Sequence, residues 1–206
     1  MHLNIGGKTA VICGGSAGIG LGCARVLAGE GVRVWLVARD AKRLAQACEA
    51  IRAFGRQADP IVADLAREDL ADRIAAIMPA PNVLITNPGA TPAGSLTEAA
   101  VWRAQAEAIV GCTLVLLDLV LPSIRDRGFG RIINITAAGA FEGSPAFGVA
   151  GALRATLTHA SAMVACKIGP HGVTINSVAP GPVRSEGLDK HFECRAREFS
   201  RVRAVT

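Results

Sequence analysis

The stretch Thr9–Gly22, TAVICGGSAGIGLG, decides the fold that we predict for this chain. Its first five residues form an apolar run of strand length. Glycines follow at Gly14, Gly18 and Gly20, and a segment with helical spacing continues from Gly18 to about residue 29. We therefore expect a buried strand, a tight glycine-rich turn and a helix in direct succession.

The same alternation of a short apolar run and a helical segment recurs along the chain. It is typical of a parallel sheet that helices cover on both faces, which with right-handed crossovers gives a doubly wound, Rossmann-like α/β fold of about six strands. We predict one domain over residues 1–206, with ligands bound beyond the carboxyl ends of the strands. The further strands are predicted at Arg33–Ala38, Pro60–Asp64, Asn82–Thr86, Arg131–Thr136 and Val173–Ala179, and the further helices at 41–54, Glu68–Ile77, Thr97–Leu121 and Gly148–Lys167.

The charge and the cysteine content of the chain indicate which partners and which cellular compartment to expect. The 206-residue chain has a net charge of +5, but its basic residues are scattered, so we do not expect a nucleic-acid partner. Its six cysteines show neither a C-x-x-C pair nor the spacing of metal ligands, which favours a reducing compartment and no metal site. The longest apolar run, Ile109–Leu121, contains Asp118 and is too short to cross a bilayer. We expect a soluble, cytoplasmic protein without a signal peptide or membrane association.

The glycine-rich turn indicates a dinucleotide site. Glycines let the backbone approach a diphosphate closely, and the following helix offers free N–H groups and the positive end of its dipole. The second predicted strand ends at Ala38 and is followed by Arg39, at the place where an acidic residue would bind the ribose hydroxyls of NAD. A guanidinium can instead hold a 2′-phosphate, so the sequence favours NADP(H) over NAD(H). The alternative is that Arg39 is a solvated loop residue and Asp40 an ordinary helix cap.

Several motifs in order resemble the short-chain dehydrogenase/reductase family, near its 3-oxoacyl-acyl-carrier-protein reductases. The resemblance runs from about Lys8 to Ser185 and rests on GGSAGIG, GRIINIT and NSVAPGPV, on Asp64, and on TNPG where the family usually has N-N-A-G. It implies an oxidoreductase with a nicotinamide cofactor. The residues that it implies at the cofactor are Gly14, Ser16, Gly18, Ile19, Gly20, Arg39, Asp64, Leu65, Asn87, Gly89, Arg154, Pro180, Gly181 and Val183.

The residues of catalysis in that family are missing from this chain. The family uses a tyrosine as proton donor, a lysine four residues later, a serine and an asparagine. The corresponding positions hold Ala150, Arg154, Ala137 and Ile109. A shifted alignment cannot restore the tyrosine, because the chain contains none.

Three residues remain as candidates for a catalytic role. Arg154 shares a helical face with Ala150 and could bind the nicotinamide ribose as the family lysine does; alternatively it faces solvent or an interface. Glu142 is the only carboxylic acid in the loop after the fifth predicted strand and could supply a proton if desolvation kept it neutral. Thr136 could orient a carbonyl, or its side chain could point into the sheet. We expect His159 to face away from the cleft and His171 to lie at the opposite edge of the sheet.

The end of the chain and two long helices raise the question of assembly. The family usually continues to a seventh strand, which we expect to be missing here, with residues 187–206 forming a basic amphipathic tail helix instead. An exposed sheet edge must then be covered by this tail or by a partner. The helices at 97–121 and 148–167 resemble the pair through which the family dimerises, so we expect a homo-oligomer; otherwise both simply cover the sheet.

Three functions stay open on the sequence alone. The first is an NADP(H)-dependent oxidoreductase for a carbonyl or hydroxyl substrate, with weak or atypical catalysis. The second is an inactive cofactor-binding protein that acts as a sensor or partner subunit. The third is a reaction without net redox change, such as hydration or isomerisation, in the same cleft.

Overall fold

Six parallel strands form a single sheet at the centre of the molecule. The computed structural model describes residues 3–67, 69–77, 81–89, 96–143 and 148–185. Within these residues the strand order is β3-β2-β1-β4-β5-β6, and every neighbouring pair is parallel. The order reverses between β1 and β4, which confirms the doubly wound α/β prediction. The strands are β1 Thr9–Cys13, β2 Arg33–Ala38, β3 Ala58–Val62, β4 Val83–Thr86, β5 Gly130–Ile135 and β6 Val173–Val178.

Helices connect the strands and differ from the predictions mainly at their ends. The helix predicted at Thr97–Leu121 begins at Ala99 and continues through Pro122 to Asp126. Ile124 is buried in this last stretch, and its packing offsets the backbone hydrogen bond that the proline removes. The helices are α1 Gly18–Gly29, α2 Ala41–Arg52, α3 Leu70–Ile77, α4 Ala99–Ala106, α5 Cys112–Asp126 and α6 Gly148–Ile168, with a π-helical turn at Glu107–Gly111 and 3₁₀ turns at Ala138–Ala140 and Gly169–His171.

The core lies on both faces of the sheet. Successive side chains of β1 alternate between the faces, with Ala10 and Ile12 on one and Val11 and Cys13 on the other. α1 and α2 pack on the first face, and α3 and α5 on the second. Because both faces of the sheet are covered, most strand residues are apolar along the whole length of each strand.

The long helix formed by α4, the π-helical turn and α5 contains an extended apolar stretch. It spans Ala99–Asp126, 28 residues with a mean hydropathy of 1.9 over its most apolar window, and is long and apolar enough to cross a membrane by length and composition alone. The whole helix is longer than the apolar run at 109–121, which by itself is too short to cross a bilayer. Leu116, Val120 and Ile124 of this helix are buried in the core, and 39% of its most apolar window is buried.

The predicted tail helix at 187–206 lies outside the described residues, so it remains a prediction, as does the single-domain boundary at 1–206.

Candidate cofactor and substrate cleft

The loops after β1 and β4 meet at the carboxyl edge of the sheet. Gly14 has a positive φ of 68°, and a Cβ there would collide with the backbone carbonyl of Asn87. A Cβ on Gly20 would collide with the carbonyl oxygen of Gly14 and lie 3.2 Å from Nδ2 of Asn87. These contacts explain why the turn requires glycine at both positions. They also place Asn87 directly against the glycine loop.

The N-terminus of α1 is open to an anion. The helix starts at Gly18 after Ala17, which makes no side-chain capping hydrogen bond, and its first turn contains no acidic residue. A Cβ on Gly18 would meet only the Cβ of Ser185, at 3.7 Å. The first N–H groups of a helix lack internal partners and attract negative charge. Ser16 and Ile19, both half-buried, flank this turn.

A dinucleotide diphosphate therefore fits the residues present. Because its glycines have no Cβ atoms that would collide, this turn can bend sharply below the diphosphate. The uncapped terminus of α1 leaves backbone N–H donors for the same group. The elements that build the cradle are the end of β1, the start of α1 and the loop after β4.

The loop after β2 carries the residues that choose between the two nicotinamide cofactors. Arg39 is exposed, and the Oδ1 atom of Asp40 accepts a hydrogen bond of 3.0 Å from the backbone N–H of Arg43, which caps α2. The carboxylate of Asp40, next to Arg39, is thus engaged in capping α2. After β3, Oδ1 of Asp64 accepts a hydrogen bond of 3.1 Å from the N–H of Ala66, and Leu65 packs against the core.

The loop after β6 lies beside the loop after β5. The N–H of Ala138 donates to the carbonyl of Pro180 at 3.0 Å, so the two loops are joined at this point. Gly181 and Val183 are exposed, and Gly89 in the loop after β4 is exposed as well. The structure thus brings all of the predicted cofactor loops to one edge of the sheet.

Apolar side chains occupy the helical positions at which the family keeps its asparagine and tyrosine. Ile109, in the π-helical turn, is fully buried and clusters with Val149 and Leu153 of α6, and Ala150 packs against the same cluster. The carbonyl of Ile109 accepts a hydrogen bond of 3.0 Å from Oγ1 of Thr113. These side chains have no group that could donate a proton.

Arg154 extends from α6 to the ends of two strands. Its Nη1 atom donates to the carbonyl oxygens of Ile135 and Thr136 at 3.1 and 3.3 Å, and its Nη2 atom donates to that of Pro88 at 3.2 Å. The residue is partly buried, and burial lowers the pKa of its guanidinium. Arg154 therefore joins the loops after β4 and β5, contacts that its position on the helix did not predict.

The other two predicted catalytic candidates sit at the same edge in different surroundings. Thr136 is buried, and its hydroxyl donates to the carbonyl of Val178 at 3.1 Å, so its side chain points toward β6. Glu142 is exposed at the end of the loop after β5, and the desolvation that its role as an acid required is not present. Ala137, at the family's serine position, is half-buried.

His159 and His171, the two histidines among the described residues, are not among the candidate residues above. His159 is exposed on α6, and His171 lies in the turn that precedes β6, at the opposite edge of the sheet as predicted.

A buried polar network beneath the cleft escaped the sequence analysis. Oγ1 of Thr86 donates to Oδ1 of Asn134 at 2.6 Å, Nδ2 of Asn134 donates to Oγ of Ser161 at 2.7 Å, and that hydroxyl donates to the carbonyl of Leu157 at 2.7 Å. The network joins β4, β5 and α6. The only signal in the sequence was polar residues inside otherwise apolar runs.

A pocket of about 220 Å³ lies between the 3₁₀ turn after β5 and α6. Small side chains line it, among them Gly139, Ala140, Gly151 and Ala155. Gly151 lies about 60° and Ala155 about 100° around the helix from Arg154.

Comparison with known proteins agrees with this arrangement. The short chain dehydrogenase family model matches residues 8–195. Among curated proteins, the ketoacyl reductase HetN of a Nostoc species is 32% identical over 190 residues, covering 88% of this chain and 66% of that protein.

Two solved structures show the same fold. A short chain dehydrogenase/reductase family protein, 35% identical, superposes with a TM-score of 0.83 over 90% of this chain and 79% of the other. The L-sorbose reductase of Gluconobacter frateurii, solved with NADPH and L-sorbose, is 27% identical with a TM-score of 0.83, covering 90% and 73% of the two chains. From its fold, its glycine loop and these matches, the chain belongs to the short chain dehydrogenase family of oxidoreductases.

Proposed function

We propose that the protein is an NADP(H)-dependent oxidoreductase that acts on a carbonyl or hydroxyl substrate with atypical, weak catalysis. The observation that carries the proposal is the glycine cradle, in which Gly14 and Gly20 pack against Asn87 below the uncapped start of α1. A bound nicotinamide dinucleotide would supply the hydride donor or acceptor. The backbone N–H groups at the start of α1 would hold its diphosphate.

The preference for NADP(H) rests on Arg39. Its side chain is exposed after β2, and the carboxylate of the neighbouring Asp40 is engaged with the backbone of α2. A ribose 2′-phosphate at this strand end would gain a charged partner in the guanidinium of Arg39, and arginine is suited to binding phosphate. The L-sorbose reductase complex with NADPH shows that a relative of this fold takes that cofactor.

Weak catalysis follows from the apolar positions around α6. Ala150 and Ala137 stand in place of the family's tyrosine and serine hydroxyls, and Ile109 in place of its asparagine amide; loss of a general acid costs a factor of about 10² to 10⁴ in rate. Thr136 stays our candidate for orienting a carbonyl, whereas Glu142 could move a proton only in a form of the site that removes it from the solvent to which it is exposed here. Because the hydroxyl of Thr136 donates to Val178, that role requires this hydrogen bond to change partner.

A second function is an inactive cofactor-binding protein, favoured by the cluster of Ile109, Val149 and Leu153 where family catalysis occurs. A reaction without net redox change in the same cleft would need no added cofactor. Consumption of NADPH across a panel of aldehydes and ketones separates these functions. Turnover above that of the heated protein supports the oxidoreductase. Tight NADPH binding with no turnover supports the inactive form, and conversion of substrate without cofactor supports the third.

For assembly, we propose a homo-oligomer through the helices at 97–121 and 148–167, in the cytoplasm. Leu114 and Met163 are 48% and 66% exposed on these helices, and an interface between copies would remove this apolar surface from water. Light scattering of the purified protein tests this proposal; a monomeric mass at working concentrations would contradict it.

A further inference from the structure

Two cations lie against one aromatic ring at the amino edge of the sheet, opposite the cofactor cleft. Nζ of Lys8, just before β1, is 4.1 Å from the centroid of the Phe129 ring. Cζ of Arg131, in β5, is 4.4 Å from the same centroid. The negative face of an aromatic ring attracts a cation. Phe129 therefore holds close together two like charges that repel each other.

Hydrogen bonds fix the backbone below this cluster. Asn82, just before β4, joins the strands on either side: its Oδ1 accepts from the N–H of Thr9 at 3.1 Å, and its carbonyl accepts from the N–H of Arg131 at 3.0 Å. Nη1 of Arg131 also donates to the carbonyls of Gly130 and Gly172, at 2.8 and 3.0 Å. The backbone at both cations is thus in place before a ligand arrives, which lowers the entropic cost of binding.

Neither positive charge is neutralised among the residues that the structure describes. The ion pairs there are formed by the carboxylates of Asp59 and Asp69, and neither Lys8 nor Arg131 takes part in them. Lys8 and Arg131 are both half-buried, so each has lost part of its hydration. Nη1 of Arg131 is engaged with backbone carbonyls, which leaves its Nη2 and the ammonium of Lys8 as donors for an anion.

We propose that Lys8 and Arg131 form a binding site for a phosphate group at the amino edge of the sheet. A phosphate group carries up to two negative charges near pH 7 and several strong acceptor oxygens, so it can bridge both side chains and offset their repulsion. The planar fork of arginine suits phosphate, and lysine adds a compact point charge. Inorganic phosphate and a small phosphate monoester share this chemistry.

The site is separate from the cofactor cradle. β1 is five residues long and lies between the two edges of the sheet, so about 15 Å separates Lys8 from the glycine loop. The proposal therefore goes beyond the proposed function and does not depend on it.

A second arginine on an aromatic ring at the same edge supplies a matched control. Arg33, at the start of β2, has its Cζ 4.9 Å from the centroid of the Trp35 ring, in the same kind of contact as Arg131. The guanidinium of Arg33, however, already binds the carboxylate of Asp59, with Nη2 and Oδ2 2.9 Å apart. An added phosphate would have to compete with that carboxylate, so we expect no phosphate site at Arg33.

Glycine amide shifts in ¹H–¹⁵N NMR spectra locate the binding of phosphate. Gly130 and Gly172 lie at Arg131, whereas Gly14 and Gly20 lie in the cofactor cradle. As inorganic phosphate is added at constant ionic strength, we expect saturable shifts at Gly130 and Gly172 with a Kd of about 1 mM or lower. Shifts confined to Gly14 and Gly20, or no saturable shift, would overturn the proposal without the use of any variant.

Two variants test the assignment of the side chains. Lys8→Gln removes one of the two charges and should raise the phosphate Kd by about tenfold, the loss expected of one charge-assisted contact. Arg33→Gln removes a charge from the same edge and should leave the Kd within about twofold of the wild type. A wild-type Kd in Lys8→Gln, or equal weakening in both variants, would contradict the proposal.

Further titrations distinguish the sources of the phosphate group and its specificity. Tighter binding of glycerol 3-phosphate than of inorganic phosphate supports a monoester as the ligand, and the reverse order supports the free ion. Equal shifts on addition of acetate, a monoanion, would show general attraction of anions and would overturn the phosphate site. The NADPH titration reports on the proposed function alone, so the two proposals can fail independently.

Discussion

Two regions of one cleft differ in how many of the family's functional residues they retain. The loops after β1 and β4 retain Gly14, Gly20 and Asn87 in contact, with an uncapped helix terminus above them. The side chains of α6 and the π-helical turn instead offer Ile109, Ala150 and one arginine. Binding of a dinucleotide depends largely on backbone donors and glycine, while proton transfer depends on particular side chains. The first can therefore persist when the second has changed.

Restoring the missing side chains should produce the largest effect. In the triple variant Ala137→Ser, Ala150→Tyr and Arg154→Lys, we expect turnover of NADPH with a carbonyl substrate to rise by about 10² to 10⁴, because a general acid is present again. The matched control carries Phe instead of Tyr at position 150, which adds a similar ring without the hydroxyl. An equal gain in both variants, or none in the Tyr variant when its circular dichroism and NADPH binding are normal, would contradict the comparison.

A substitution in the glycine-rich turn after β1 should have the next largest effect, on the binding of NADPH. Gly20→Ala forces a Cβ against the Gly14 carbonyl and the Asn87 amide, at a cost of about 1–3 kcal/mol. If this strain falls on the bound conformation, the Kd for NADPH rises by about tenfold to a hundredfold. Gly22→Ala is the control two residues later in α1, where a Cβ meets nothing within 4 Å. Unchanged NADPH binding in a folded Gly20→Ala protein would show that the turn does not hold the cofactor.

The cofactor preference gives a smaller, selective effect. Arg39→Gln should weaken NADPH binding by about tenfold, through loss of a charge-assisted contact, and leave NADH binding unchanged. Arg25→Gln removes the same charge from an exposed position on α1 and should alter neither. Parallel fluorescence titrations measure both cofactors. Equal weakening of NADPH and NADH by Arg39→Gln would mean that Arg39 is not the 2′-phosphate ligand.

The buried network below both regions should affect stability alone. Ser161→Ala removes the acceptor for Nδ2 of Asn134, which costs about 1–3 kcal/mol of the free energy of unfolding in urea. Thr156→Ala is the control, since its exposed hydroxyl donates to the carbonyl four residues earlier as that of Ser161 does. We expect the NADPH Kd of Ser161→Ala to stay within about twofold of the wild type. A wild-type free energy of unfolding in Ser161→Ala would show that the network contributes nothing.

The sequence predicted the elements better than the contacts between them. β1, β2 and α1 were predicted with the bounds that the structure has, because apolar runs and glycine act locally. β3 begins two residues before its predicted start, and α5 passes through Pro122, where tertiary packing outweighs a local signal. The hydrogen bonds from Arg154 to the carbonyls of Ile135 and Pro88 could not be predicted. Backbone carbonyls have no sequence signature, and these two lie far from each other along the chain.

The measurement that tests the central claim most directly is a fluorescence titration of the wild-type protein with NADPH and, in parallel, with NADH. We predict saturable NADPH binding with a micromolar Kd, and NADH binding weaker by about tenfold, the contribution expected of a charge-assisted 2′-phosphate contact. Binding of neither cofactor would contradict the claim that the glycine cradle is a working site. Binding of NADH at least as tight as that of NADPH would contradict the assignment of Arg39.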